Sequence, residues 1–183
     1  HRTLEGDSPS FLHVLPVGLR ILEHPSYGGW GGRFTGPLVD GMHYVGTQDM
    51  DANLESRLYK PISRGFEGMQ NDYAARCDWA IASSYDSANH EPVAFLQHAE
   101  DLKASPGETV TLSAIGSSDP DGDELSFKWW QYKDADSYEG EIIIENNTNP
   151  EANFVFPEDG NGKDIHIILD VQDDGKPNLT RYR

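Results

Sequence analysis

The chain has 183 residues, of which 25% are charged and 37% are hydrophobic, as is typical of a folded globular protein. Its net charge of −17 disfavours nucleic acid as a partner, because an acidic surface repels phosphates. The single cysteine, Cys77, excludes an intrachain disulfide, and no apolar run reaches the roughly 20 residues of a membrane span.

The first half of the chain, residues 1–92, mixes glycine-rich loops with helical patterns. The segment FLHVLPV at 11–17 is apolar enough for a buried strand. The spacing of Met50, Leu54 and Leu58 predicts a helix that Pro61 ends. Two helices, one strand and long loops make a poor independent domain, so we expect this half to pack against the second half or against a further part of the protein.

A second helix is predicted at about 71–85, capped by Asn71 or Asp72. Its spacing places five side chains on one continuous face: Tyr73, Cys77, Ala80, Ile81 and Tyr85. The segment 86–92, DSANHEP, then breaks the helix and is predicted to link two domains.

The second half, residues 93–183, alternates polar and apolar side chains with the period of a β-strand. The predicted strands are VAFL (from 93), ETVTLSAI (108–115), LSFKWWQY (125–132), EIIIE (141–145), ANFVF (152–156) and DIHIILDV (164–171). Short strands at this spacing, with Trp129 facing inward, favour an immunoglobulin-like sandwich that lacks a bridging cysteine pair. The chain begins at His1 and ends at Arg183 within the strand-like LTRYR, so we expect a piece of a longer protein.

The turn SSDPDGDEL carries Asp119, Asp121 and Asp123 in alternation, like the start of a calcium loop. It departs from such a loop at two positions: the sixth is Glu124 instead of Gly, and the twelfth is Trp130 instead of Glu. Two interpretations stay open. The aspartates form an ordinary turn, or they form a weak cation site, with calcium as the candidate and with help from Asp173 and Asp174.

Two aromatic side chains, Trp130 and Tyr132, are predicted to face outward from the strand at 125–132. Exposed aromatic rings are good platforms for sugars, because the apolar face of a pyranose stacks on them. The alternative is that both rings pack against the first half of the chain.

The stretch YGGWGGRF at 27–34 surrounds Trp30 with four glycines and adds Arg33. Glycines permit close backbone approach, so this loop either lines a pocket with Trp30 and Arg33 or is held by a buried Trp30. In the second case Arg33 pairs with Asp7 or Asp40. Asp7 itself is a candidate metal ligand, or equally a helix or turn cap.

The segment GETVTLSAIGSSDPDGDELSFKWWQY resembles the polycystic-kidney-disease-type modules of secreted bacterial proteins. Over the whole chain, six ordered motifs resemble a bacterial cellulose-binding family with a nucleoside hydrolase-like and an immunoglobulin-like domain: EGDSPSFLHVLPVGL, EHPSYGGWGGRF, NDYAARCDWAI, NHEPVAFL, SSDPDGDELSFKWW and ILDVQDDGKPNLTRYR. The resemblance implies that 1–92 is an α+β fragment, the C-terminal part of an α/β nucleoside hydrolase-like domain, followed by an all-β sandwich at 93–183. It also implies that Asp7 is the late calcium-binding aspartate, while the early aspartate cluster is not in this sequence.

The leading hypothesis is a non-catalytic region of a secreted or periplasmic protein that binds cellulose or a related glycan. Its predicted contacts are Trp30, Arg33, Trp130 and Tyr132, and its predicted partner within the protein is the upstream domain. One alternative is a nucleoside or glycoside hydrolase whose catalytic residues lie mostly upstream. The other is a structural spacer stiffened by calcium.

Overall fold

The structure is a computed structural model that describes residues 11–39, 43–46 and 63–183. Asp7 and the helix predicted around Met50 to Leu58 lie outside the described residues. The chain divides into two compact units, His1–Gln70 and Asn71–Arg183.

In the first unit, a 3-10 turn (Pro25–Tyr27) precedes an antiparallel pair of strands, β1 (Phe34–Val39) and β2 (His43–Gly46). The predicted buried strand at 11–17 is wrong. A helical turn begins there, the backbone N–H of Val14 bonds to the carbonyl of Phe11, and both of these side chains are exposed. Pro16 contributes to this outcome, because proline cannot donate to a strand ladder.

The predicted second helix is confirmed as α1 (Phe66–Ile81), although it begins and ends earlier than the sequence indicates. Asn71 and Asp72 therefore lie inside the helix and do not cap it. The buried side chains of α1 are Asp72 and Ala75, whereas Tyr73, Cys77 and Ile81 are exposed. The helix thus turns its polar side inward, and its predicted apolar face is exposed.

The second unit contains two antiparallel sheets. β3 (Thr109–Ser113) pairs with β5 (Glu151–Val155), and β6 (Ile167–Gln172) lies between β4 (Ser126–Gln131) and β7 (Thr180–Tyr182). Four strands predicted by alternation, β3 to β6, are therefore confirmed.

Two further strand predictions are wrong. Near residue 93 there is an isolated bridge from Val93 to Ser118, and at 141–145 there is one from Glu145 to Asn153. At 141–145 the backbone N–H of Ile142 donates instead to the side-chain oxygen of Gln131, at 2.9 Å. A backbone N–H that is hydrogen-bonded to a side chain cannot also pair with a neighbouring strand, so this apolar run does not form a β-strand.

Both sheets contribute to one apolar core. Its largest members are Leu112 and Phe154 from the two-stranded sheet and Trp129, Leu169 and Val171 from the three-stranded sheet. The inward orientation predicted for Trp129 is confirmed, and its indole N–H donates to the Asn149 carbonyl at 3.0 Å. The immunoglobulin-like topology stays a prediction, because the described strands of this unit number five and such sandwiches have about seven.

The border between the compact units differs from the domain border predicted after residue 92. From Asn71 onward, α1 belongs to the strand-rich unit. Two contacts attach it there: Asp72 binds Arg181 of β7 at 3.0 Å, and the Asn71 amide donates to Asn178 at 2.6 Å. Such pairings between distant residues cannot be read from local sequence patterns.

Candidate functional site

The outer face of the three-stranded sheet carries a mixed aromatic and polar surface. Lys128, Asp170 and Tyr182 lie side by side across β4, β6 and β7, since each is paired with the next in the strand register. Trp130 lies on the same face, two residues beyond Lys128. We call these four residues the outer sheet face.

Trp130 is part-buried, and its indole N–H donates to the Asp170 carboxylate at 2.8 Å. This bond fixes the plane of the indole ring beside a charged acceptor. An oriented aromatic ring next to carboxylate and ammonium groups has the chemistry of a sugar subsite, because rings stack on the sugar while polar groups bind its hydroxyls.

The prediction that Tyr132 is exposed beside Trp130 is wrong, because Tyr132 is only 4% exposed. Alternation holds only within a strand, and β4 ends at Gln131. The backbone N–H of Tyr132 instead bonds to the His166 carbonyl at 2.7 Å. Its ring packs near Trp130, with centroids 5.5 Å apart and planes 54° apart. Tyr132 therefore supports Trp130 and cannot itself present a ring face.

The tryptophan of the glycine-rich loop is also buried, at 2% exposure. Gly29 and Gly32 exchange backbone hydrogen bonds of 2.9 and 3.1 Å, which closes a tight hairpin around Trp30. A Cβ added to Gly65 would lie 2.6 Å from the Trp30 ring, so a glycine is required at that close approach. Trp30 thus holds the loop in place, and the prediction that it forms a stacking wall is wrong.

Arg33 is part-buried, and one contact of its guanidinium is a 3.5 Å hydrogen bond from Nη1 to the Ser26 carbonyl. The partners considered from sequence, Asp7 and Asp40, lie outside the described residues. Arg33 and Trp130 belong to different compact units.

Sequence analysis missed an aromatic stack that follows α1. The rings of Tyr85 and His90 lie 3.5 Å apart and are parallel within 3°, and His90 is stacked in turn near Trp79 at 5.7 Å. Tyr85 is 58% exposed, so one of its faces is open to solvent. Positions 79, 85 and 90 do not follow a helical or strand periodicity, because the helix has ended and the chain forms a 3-10 turn at Tyr85–Ser87. The stack therefore could not be predicted from spacing.

The aspartates of residues 119–123, the acidic turn, do come together as predicted. One carboxylate oxygen from each of Asp119, Asp121 and Asp123 lies within 4.8 Å of the others. Asp119 Oδ1 accepts the backbone N–H groups of Asp121 and Asp123 at 2.8 and 3.2 Å, which curls the turn. Turn geometry and cation binding are thus compatible here.

The turn between β6 and β7 lies against the acidic turn. Its Asp174 accepts the backbone N–H of Glu124 at 2.8 Å. Burial raises the pKa of the neighbouring Asp173, and the charge of Asp119 adds to that rise, although hydrogen bonds from Leu179, Asn89 and Gly175 oppose it. Partial burial and then the charges of Asp119, Asp174 and Asp121 raise the pKa of Asp123. Carboxylates are therefore concentrated at this end of the unit.

None of the described helices has the length and apolar character needed to cross a bilayer.

Two family models match the two ends of the chain. Residues 109–183 match the family described as cellulose-binding protein Sde0182, C-terminal domain, and residues 1–34 match cellulose-binding Sde182, nucleoside hydrolase-like domain. No curated protein matches the chain.

A solved structure of a nucleoside hydrolase-related hypothetical protein from Saccharophagus degradans, described as associated with carbohydrate metabolism, is similar over all of this chain. The sequence identity is 41% and the TM-score is 0.81. The chain spans 47% of that protein's length.

Proposed function

Since the chain carries segments of both domains of the cellulose-binding Sde182 family, we propose that it binds cellulose or a related polysaccharide through its strand-rich unit. The observation that carries this proposal is the outer sheet face, where Trp130 is fixed against Asp170. This face lies within residues 109–183, the segment that matches the family's C-terminal domain. Carbohydrate binding is the property that the family description names.

The outer sheet face suits a glycan for a simple physical reason. Trp130 offers an apolar ring, while Lys128 and Asp170 offer a donor and an acceptor on the same sheet face. Tyr182 adds a second aromatic ring across the sheet.

The test is retention of the chain on insoluble cellulose, xylan and chitin, with Trp130→Ala as the main variant. Loss of one stacking contact is worth roughly 1–1.4 kcal/mol, so retention should weaken about 5- to 10-fold. Trp130→Phe keeps a ring but loses the bond to Asp170, so it should bind at an intermediate strength. Unchanged melting curves would show that both variants are folded.

Tyr85→Ala is the matched control, because it removes another accessible aromatic ring from the same unit. We expect this variant to bind as the parent does. If Tyr85→Ala abolishes binding while Trp130→Ala does not, the glycan site lies at the aromatic stack. If the parent chain binds none of the three polysaccharides, the proposed function is wrong.

We further propose that binding occurs without catalysis and that the strand-rich unit is an immunoglobulin-like module. We also propose that the protein acts outside the cytoplasm, where insoluble polysaccharide occurs. The upstream domain remains its proposed partner. Fractionation of cells that express the full-length protein tests the location. Cross-strand nuclear Overhauser effects measured by NMR test the topology.

A second candidate function rests on the match of residues 1–34 to a nucleoside hydrolase-like domain. Under this alternative, the full-length protein cleaves an N-ribosyl or glycosidic bond and this part completes its pocket. Release of base from nucleosides by the full-length protein, lost in Asp7→Ala or Arg33→Ala, would favour it.

A further inference from the structure

We propose that a calcium ion binds at the acidic turn, where the turn that joins β6 to β7 lies against it, with Asp119, Asp121 and Asp123 as its protein ligands. The three aspartates of the acidic turn already place one oxygen each within 4.8 Å of one another, a spacing that a single ion can bridge. Acidic clusters are common on protein surfaces, so the proposal depends on a second observation.

That observation is a pair of carboxylates with one buried, unpartnered oxygen each, Asp119 within the cluster and Asp173 on the adjoining turn. Only 3% of Asp173 is exposed. Its Oδ1 is saturated by three donors, the backbone N–H groups of Gly175 and Leu179 and the amide of Asn89. Its Oδ2 is equally buried and has no hydrogen-bond partner. A buried carboxylate oxygen without a partner destabilises the fold, because it loses its hydrogen bonds to water and no protein hydrogen bond replaces them.

Asp119 shows the same division between its two oxygens. Oδ1 accepts two backbone N–H groups of the acidic turn, while Oδ2 is buried and has no partner. The charge of Asp119 contributes to the raised pKa of Asp173. The Glu124–Asp174 hydrogen bond holds their two turns together. A cation at the acidic turn would give the orphaned Oδ2 of Asp119 a partner, and the carboxylate of Asp173 on the adjoining turn adds negative charge that favours the ion.

Calcium suits this site better than other ions do. The proposed ligands are all carboxylate oxygens, which hard cations prefer, whereas zinc prefers nitrogen and sulfur. The turn is partly open, so water molecules can complete the six to eight ligands of calcium. Asp121 is the weakest of the three ligands, because its Oδ2 accepts the backbone N–H of His90 at 2.6 Å and also lies 3.1 Å from His90 Nδ1.

The ion would order the segment that follows the aromatic stack. His90 is bound to Asp121 of the acidic turn, and Asn89 is bound to Asp173 and to the Pro177 carbonyl. Both turns therefore already hold residues 89–90. A calcium ion at the acidic turn would lock this segment onto the strand-rich unit.

The test uses the whole chain, stripped of metal with EDTA and then dialysed. Calcium chloride is titrated by calorimetry, and melting temperatures are recorded with calcium or magnesium chloride at equal concentration. The site is small and partly open, so we expect one ion to bind with a Kd on the order of 10⁻⁴–10⁻³ M. At ten times the Kd the melting temperature should rise by roughly 3–6 °C, and magnesium should raise it less.

Asp123→Asn is the main variant, because the structure shows no hydrogen bond to the Asp123 carboxylate among the described residues. It should fold normally and bind calcium at least 10-fold more weakly, and Asp119→Asn should behave alike. Asp164→Asn, which neutralises an exposed aspartate elsewhere in the same unit, should bind as the parent does.

Three outcomes would overturn the proposal: no calcium-dependent heat or melting shift, equal effects of calcium and magnesium, or an unchanged calcium response in both Asp123→Asn and Asp119→Asn. The last result would place any bound ion elsewhere in the chain. The glycan-retention assay is run on the same variants, so failure of the calcium site and failure of glycan binding can be told apart.

Discussion

At the scale of single residues, the buried ion pair between Asp72 and Arg181 is the main polar link between α1 and the sheets. Asp72 binds Arg181 through Oδ1 at 3.0 Å and Arg76 through Oδ2 at 2.6 Å. Arg181 also contacts Glu91 at 3.1 Å. Both partners of the central pair are buried, so loss of either one leaves a charge that is only partly compensated.

We expect Arg181→Met to destabilise the strand-rich unit by about 3 kcal/mol, at the lower end of the range for breaking a buried pair, because Arg76 still faces Asp72. Arg76→Met is the matched control. Arg76 is 40% exposed, so its loss should cost under about 1 kcal/mol. Urea unfolding followed by tryptophan fluorescence measures both. Equal costs for the two variants would contradict a central role for the buried pair.

The residues that sequence analysis misassigned were misassigned for physical reasons. Alternation correctly turned Trp129 inward but failed at Tyr132, because β4 ends one residue before it. The sequence allowed Trp30 either to line a pocket or to hold its loop from a buried position. Its burial depends on the close approach of Gly65, which is distant in sequence, so the loop alone could not reveal it. The acidic turn was recognised because its three aspartates are local in sequence.

At the scale of elements, α1 is oriented opposite to its apolar pattern. Ala75 is fully buried, while Ala80, on the continuous face predicted from sequence, is exposed. The Asp72 ion pair fixes this orientation, and helical periodicity carries no information about such a pair. By contrast, β3 to β6 could be predicted from alternation, because one face of each strand lies against a core and the other lies outside it.

The orientation of α1 can be tested by the same substitution at two positions. We expect Ala75→Leu to destabilise the chain by about 1–3 kcal/mol, since added methylene groups have no room in a packed interface. Ala80→Leu should change the free energy of unfolding by less than about 0.5 kcal/mol. Both substitutions have similar effects on helix propensity, so thermal or urea unfolding reports packing. A larger cost at Ala80 would mean that the apolar face is the buried one.

At the scale of the whole molecule, the net charge of −17 over 183 residues bears on which polysaccharides would suit the proposed glycan-binding function. Carboxylates repel other anions, and the range of that repulsion is set by the Debye length, about 30 Å at 0.01 M salt and about 3 Å at 1 M. The strand-rich unit adds a local concentration of aspartates at its acidic turn. A neutral glycan is therefore the better match for this protein than an acidic one.

This argument predicts a preference between two soluble polymers that share one backbone. In buffer of about 10 mM salt, the chain should bind hydroxyethyl cellulose, which is neutral, more tightly than carboxymethyl cellulose, which is anionic. The difference should shrink as sodium chloride rises toward about 1 M, because screening removes the repulsion but leaves ring stacking intact. Titration calorimetry at several salt concentrations measures both affinities. Equal affinities at low salt would show that the protein's net charge does not affect the binding surface. Tighter binding to the anionic polymer would indicate that a local cationic group such as Lys128 dominates the interaction.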